Sequence, residues 1–173
     1  MDHADHVRLL TGGVTSGGTW ADLGAGTGAF TLALAELVGP AGEVIAVDRD
    51  RRALRELERS VRRGGASVRT MSADFTKPIE LSPLDGIVMA NSLHFVKDKV
   101  PVLALVRAML KPSGRLLLVE YDSDRGNTWV PHPMAFETWR ALADASGFRG
   151  TRRLASVPSR FLGRIYSTES VRE

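Results

Sequence analysis

Three glycines at alternating positions carry the strongest chemical signal in this chain. In Asp22-Leu23-Gly24-Ala25-Gly26-Thr27-Gly28-Ala29-Phe30, residues without a Cβ stand where backbone can pass close to a ligand or take conformations a side chain forbids. A helix starting at Ala29 would aim its free amides and positive dipole end at the same place. Gly24-x-Gly26-x-x-Ala29 also satisfies the dinucleotide fingerprint, so the turn alone fits NAD, another nucleotide-like ligand or a plain strand-to-helix turn. Asp22 tilts the balance. Its carboxylate, two residues ahead of Gly24, would repel a pyrophosphate and suit a ligand bringing a cationic amine. Asp48 closes the apolar run Val44-Ile45-Ala46-Val47 twenty residues beyond Gly28. A carboxylate there can accept both hydroxyls of a ribose; it would equally cap the helix that follows.

These residues need a scaffold, and the chain alternates short apolar runs with amphipathic stretches. Runs at 19–23, 43–47, 67–73, 84–90 and 115–121 read as strands. Helices are expected at 29–38, 50–63, 100–110 and 134–146, the second with Leu54, Leu57 and Val61 inward and an arginine-rich outer face that includes Arg62 and Arg63. The run 84–90 is apolar almost throughout, as a strand covered on both faces should be. Two last runs, 151–157 and 163–167, have no helix between them and read as a hairpin that adds an antiparallel strand. The order predicts a doubly wound α/β sheet with helices on both faces. Its ligand belongs beyond the carboxyl ends of the strands. That places Asp22–Gly28, Asp48, Asp74, Asn91–His94 and the residues from Tyr121 onward at one end of the molecule.

The stations in this order resemble the class I S-adenosylmethionine-dependent methyltransferases, of the small-molecule type 11/25 kind. Asp22 to Gly28 matches that family's acid-x-Gly-x-Gly-x-Gly motif. Glu43–Asp48, Ser72-Ala73-Asp74-Phe75 and Leu110–Leu116 match its later stations, with Ser113 where glycine is commoner. The resemblance runs from about residue 15 to 170. It implies one domain over 1–173 with a Rossmann-like methyltransferase fold: a mostly parallel seven-stranded sheet, an antiparallel last strand and a minimal N-terminal cap. It implies S-adenosylmethionine as methyl donor, leaving as S-adenosylhomocysteine. The implied cofactor contacts are Asp22, Gly24, Ala25, Gly26 and Gly28 in the turn, Asp48 and Arg49 at the ribose, Ala73, Asp74 and Phe75 at the adenine, and Asn91 and Ser92 at the cofactor backbone or amino-acid end. Asp74 would also serve as a plain turn residue. An NAD(P)-binding module accommodates Asp48 equally well, but Asp22, Asp74 and the closing hairpin poorly.

Methyl transfer from a sulfonium asks the protein mainly to align the reactants, worth ~7–11 kcal/mol. A base adds about 10²- to 10⁴-fold when the acceptor is a hydroxyl. His94, Tyr121 and His132 are the candidate catalytic groups. His94 reads alternatively as a packing residue, and Tyr121 and Trp129 as pocket walls. Asn91-Ser92-Leu93-His94 lacks the Asn/Asp-Pro-Pro-aromatic signature of enzymes that methylate nucleobase amines. Asp122, Asp124 and Asn91 do not match the spacing of metal-dependent relatives, so no metal is expected.

Composition narrows the partners. The 173 residues carry no cysteine, which excludes disulfides and thiolate chemistry. Net charge is +3, and most of the basic residues are arginines. Aromatic content of 6% is too low for a base-stacking platform, so nucleic acid is not the expected partner. An RNA or protein substrate would have to use the six arginines between 149 and 172. The polar start and the lack of a ~20-residue apolar run point to a cytoplasmic protein without membrane spans. The expected acceptor is a small molecule. Its pocket would be open, roofed by Val7, Leu9 and Leu10 of a short helix at 5–10 with the 122–133 loop, or completed by a second subunit in a homodimer.

Overall fold

Seven strands hydrogen-bond into one sheet in the order β3-β2-β1-β4-β5-β7-β6. They are β1 (Gly18–Leu23), β2 (Gly42–Asp48), β3 (Ser67–Ser72), β4 (Leu84–Ala90), β5 (Leu110–Tyr121), β6 (Phe148–Ser159) and β7 (Gly163–Arg172). The helices are α1 (His3–Leu10), α2 (Ala29–Val38), α3 (Arg51–Ser60), α4 (Val100–Met109) and α5 (Phe136–Ala145). The structure is a computed structural model and describes residues 1–61, 64–81 and 83–173. The first five strands run parallel, while β7 is antiparallel to both β5 and β6. This is the doubly wound sheet with an antiparallel last strand that the alternation predicted. Its switch in strand order falls between β1 and β4, where a ligand crevice belongs.

Each face of the sheet buries its own helices. Leu9 and Leu10 of α1 and Phe30, Leu34 and Val38 of α2 pack on Trp20, Val44, Leu117 and Val119. Leu54 and Leu57 of α3 close on Ala46 and Ala25. On the opposite face, Val102, Leu103 and Val106 of α4 and Trp139 and Ala143 of α5 cover Ile45, Ile87 and Leu118. Trp20 lies across the partner position Gly86 on β4, where any Cβ would meet its ring at 2.2 Å. That glycine is a packing requirement of the central strands.

Several boundaries differ from the expectations, each for a physical reason. The first helix starts at His3, because the Asp2 side chain caps it by accepting the Asp5 N–H at 2.9 Å. Its Leu9 and Leu10 are wholly buried against the sheet; they are core, not the expected roof. Helix α3 is described to Ser60, and Arg62 and Arg63, expected at its end, lie outside the described residues. Helix α5 starts at Phe136 rather than 134. The carboxylates of Asp124 and Asp122 accept the Ala135 and Phe136 N–H groups at 3.0 Å and hold that terminus from the preceding loop. Strand β6 begins at Phe148, because bulges at 149–152 and 153–155 absorb residues that interrupt the alternation. The turn at 111–114 interrupts β5 between its Leu110 and Arg115 pairings, and Ser113 there holds a φ of +62°. Glycine would take that left-handed conformation without strain.

Candidate cofactor and active site

The three glycines of the first turn have three different tasks. Gly24 has φ +84°, and a Cβ on it would come within 2.5 Å of the Ser92 Cβ. Gly28 has φ +92°, and its Cβ would strike Leu57 at 2.1 Å. These two let β4 and α3 close on the loop. Gly26 has φ +54° and faces open space; only here does the missing side chain leave room for a ligand. The loop is tied to β2, since the Gly24 and Ala25 N–H groups both donate to the Val47 carbonyl, at 2.8 and 3.0 Å.

The carboxylates divide between the cleft and the framework. Asp48 is half-buried at the tip of β2. Its Oδ2 accepts the Gly26 N–H and its Oδ1 the Asp50 N–H, each at 2.8 Å. Asp50 in turn caps α3. Asp22 is buried beneath the turn and accepts the Thr31 hydroxyl at 2.6 Å. Burial pushes its carboxyl up to about 6; the Thr31 hydrogen bond works against that rise and the Asp48 charge adds to it. Asp74 is bonded by the Thr76 hydroxyl and N–H at 2.7 and 3.0 Å, which hold its carboxyl below the usual range.

Nine of the twelve residues expected at the cofactor meet around one cleft of about 450 Å³: Gly24, Gly26, Asp48, Arg49, Ala73, Asp74, Phe75, Asn91 and Ser92. Asp22, Ala25 and Gly28 do not border it; they brace the turn from behind. Thr76, Phe95 and Val96 also line the cleft, although the motifs did not single them out. Thr76 had a signal, since an Asp-x-Thr step favours the local turn it makes with Asp74. Ser92 donates its hydroxyl to the Leu23 carbonyl at 2.7 Å and so locks β4 to β1. Asn91 holds a left-handed φ of +51°, and its side-chain oxygen is buried without a hydrogen-bond partner.

Beside the cleft lies a second set of groups. His94 is 3% exposed, and its Nδ1 lies 3.0 Å from Oε1 of the wholly buried Glu120. Tyr121 follows Glu120 and borders a separate cavity of about 440 Å³ between the start of α1 and the β6–β7 turn. His132 is half-buried and reaches His94 through its backbone, with its N–H donating to the His94 carbonyl at 3.0 Å. Trp129 is 75% exposed on the surrounding loop. An acid inside Leu116-Leu117-Leu118-Val119-Glu120-Tyr121 is a visible anomaly in the sequence, and the fold explains it by pairing Glu120 with His94. The basic hairpin is largely committed internally. Arg149 pairs with Asp144 and Glu173, Arg152 with Glu169, and Arg153 with Asp122.

This geometry accords with the comparisons. Residues 21–114 match the Methyltransferase domain family, and the chain belongs to that family. It is 30% identical over 164 residues to the ubiquinone/menaquinone biosynthesis C-methyltransferase UbiE of Erwinia tasmaniensis, covering 92% of this chain and 61% of that protein. The UbiE of Pasteurella multocida is 36% identical over 113 residues, 64% of this chain and 42% of that one. The chain thus spans about half the length of these curated relatives. Among solved structures, a Burkholderia thailandensis 1,6-didemethyltoxoflavin-N1-methyltransferase with bound 1,6-didemethyltoxoflavin and S-adenosylhomocysteine superposes with a TM-score of 0.77 at 20% identity, over 99% of this chain and 78% of that one. The YcgJ protein of Bacillus subtilis has a TM-score of 0.76 at 16% identity, over 99% of both chains. The fold is the Rossmann-like methyltransferase fold. Among the described residues, no helix is long and apolar enough to cross a membrane.

Proposed function

We propose that residues 1–173 form one catalytic domain that transfers a methyl group from S-adenosylmethionine to a small-molecule acceptor. The observation that carries this reading is the cleft at the switch in strand order, with Asp48 clasped to the open glycine of the first turn. The residues present fit an adenosine-bearing ligand. Asp48 keeps lone pairs for two ribose hydroxyls, and Phe75 offers an aromatic face. Gly26 clears the approach, and the unpartnered Asn91 oxygen is ready to accept a donor. The bound cofactor supplies a methyl group already activated by a positively charged sulfur.

The chain's own work is then to bind and to align. Gly24, Gly26 and Ser92 set the floor of the cleft, Asp48 and Arg49 take the sugar end, and Ala73, Asp74 and Phe75 take the base. Asp22, Ala25 and Gly28 hold the turn in shape. His94 and Tyr121 stand toward the acceptor, and His132 steadies the His94 backbone. The 1,6-didemethyltoxoflavin bound in the Burkholderia structure supports a small-molecule acceptor, and we place the enzyme in the cytoplasm. The test is incubation with methyl-labelled S-adenosylmethionine and a panel of small hydroxyl, amine and carbon acceptors. Label in an organic product together with S-adenosylhomocysteine is expected. Binding of the donor without transfer to any acceptor would make the chain a binding module instead.

A further inference from the structure

The cofactor cleft covers one part of the row of strand ends, since its residues follow β1, β2, β3 and β4. The cavity of about 440 Å³ covers the rest, between the tip of β5, the β6–β7 turn and the start of α1. The two meet where β4 and β5 lie side by side. Asn91 of the cleft donates its N–H to the Val119 carbonyl at 2.9 Å, and Tyr121, two residues beyond Val119, borders the cavity. Tyr121 pairs with Ile165 on β7, so the turn between Ser159 and Gly163 projects past the end of β5 and walls the cavity.

Two charged side chains line this cavity, one of each sign: Asp5 on α1 and Arg160 in the turn. The other five arginines of the hairpin are committed. Arg149, Arg152 and Arg153 pair with carboxylates, Arg164 donates to the Ser156 hydroxyl and Arg172 to the Leu110 carbonyl. Among the described residues Arg160 and Asp5 have no ion-pair partner, and they do not pair with each other. An acid in the first turn of a helix suits its dipole, and an arginine in a turn is solvated. Neither reason brings opposite charges to one cavity without joining them. Phe161, next to Arg160, is 64% exposed, and the Ser159 hydroxyl accepts its N–H at 3.2 Å, which holds the turn in shape. An aromatic ring left open there, with Tyr121 and Ile165 in the same lining, suits a flat apolar body. The Tyr121 phenol is pushed up, by burial first and by the Glu120 charge second, and stays a neutral donor.

We propose that this cavity is the acceptor subsite and that it takes a zwitterionic aromatic molecule, with its ammonium facing Asp5, its carboxylate facing Arg160 and its ring on Phe161. This rests on the methyltransferase reading and narrows the acceptor from small molecules at large to aromatic amino acids and compounds of that charge pattern. A ligand with one charge leaves one of the two side chains unanswered. A ligand with both answers each.

The test uses three ligands built on one phenol ring: tyrosine with both charges, tyramine with the ammonium alone and 4-hydroxyphenylacetate with the carboxylate alone. Each is titrated calorimetrically into the full chain in the presence of S-adenosylhomocysteine, whose own binding is titrated first. Tyrosine should bind about fivefold more tightly than either analogue, a modest factor because Arg160 is exposed to solvent. Arg160→Gln should erase its advantage over tyramine and keep that over 4-hydroxyphenylacetate; Asp5→Asn should do the reverse. Phe161→Ala should weaken all three alike. Equal affinities in wild type, or no binding of any of the three, overturn the proposal whether or not a variant folds. An advantage that survives both charge substitutions overturns it too, because the ligand's charges then meet other groups. A chain that binds S-adenosylhomocysteine without preferring tyrosine loses the subsite only. A preference for tyrosine in a chain that binds no S-adenosylhomocysteine overturns the methyltransferase reading instead.

Discussion

Asp48 and Gly26, 22 residues apart, are joined by a 2.8 Å hydrogen bond from the glycine N–H to the carboxylate. The bond fixes the open glycine against the tip of β2, so the proposed sugar site and the loop beside it form as one unit. Asp48→Ala removes the clasp and the acceptor for two ribose hydroxyls together. Hydrogen bonds to charged groups are worth about 1.5–3 kcal/mol each, so the dissociation constant for S-adenosylhomocysteine should rise by about 100-fold or more. Calorimetric titration reads this, and an unchanged constant refutes the ribose role.

Gly28 and Gly26 should separate stability from binding. Gly28→Ala forces a Cβ to 2.1 Å from Leu57 at a φ of +92°, and overpacking plus left-handed strain should cost about 2–4 kcal/mol. Trimming the neighbour in a Gly28→Ala/Leu57→Ala double variant should make the glycine substitution cheaper than in wild type, as denaturant titrations would record. Gly26→Ala meets nothing and should cost only about 1–2 kcal/mol of backbone strain, yet weaken S-adenosylhomocysteine binding at least as much as Gly28→Ala does.

Asp22 makes stability depend on pH in a defined direction. Its folded value of about 6 lies above the ordinary 3.8, so the folded chain holds this proton more tightly than the unfolded one. That contribution is full below 3.8 and is lost as pH rises through about 6. Asn keeps an acceptor for the Thr31 hydroxyl and carries no charge. Asp22→Asn should therefore gain on wild type between pH 4 and 6, by on the order of 3 kcal/mol at neutrality. Unfolding curves at several pH values would show the gap widening over that interval; a constant gap would contradict the assignment.

The fold was legible because its signals are local and repeated. The apolar runs, the glycines of the first turn and the acids at strand ends all act over a few residues. The cofactor cleft was legible for the same reason, since a doubly wound sheet brings strand ends together. Long-range partners were hidden. Asp22 read as a ligand-facing acid because nothing local shows that Thr31 bonds it from beneath. Leu9 and Leu10 read as a lid because an amphipathic turn does not say which surface it covers. Asp122 and Asp124 had no assigned task in the sequence, whereas they bond the start of α5, 14 and 11 residues away. The His94–Glu120 pair spans 26 residues and two strand ends, so only the folded chain brings it together.

The most direct measurement compares ligands on the unmodified chain: thermal unfolding with S-adenosylhomocysteine, and separately with NAD. A ligand that binds only the folded form at a hundred times its dissociation constant adds about 2.7 kcal/mol. The cleft described here predicts a midpoint several degrees higher with S-adenosylhomocysteine and unmoved with NAD. Stabilisation by NAD alone would mean that the turn from Gly24 to Gly28 cradles a pyrophosphate, and would contradict the account at its base.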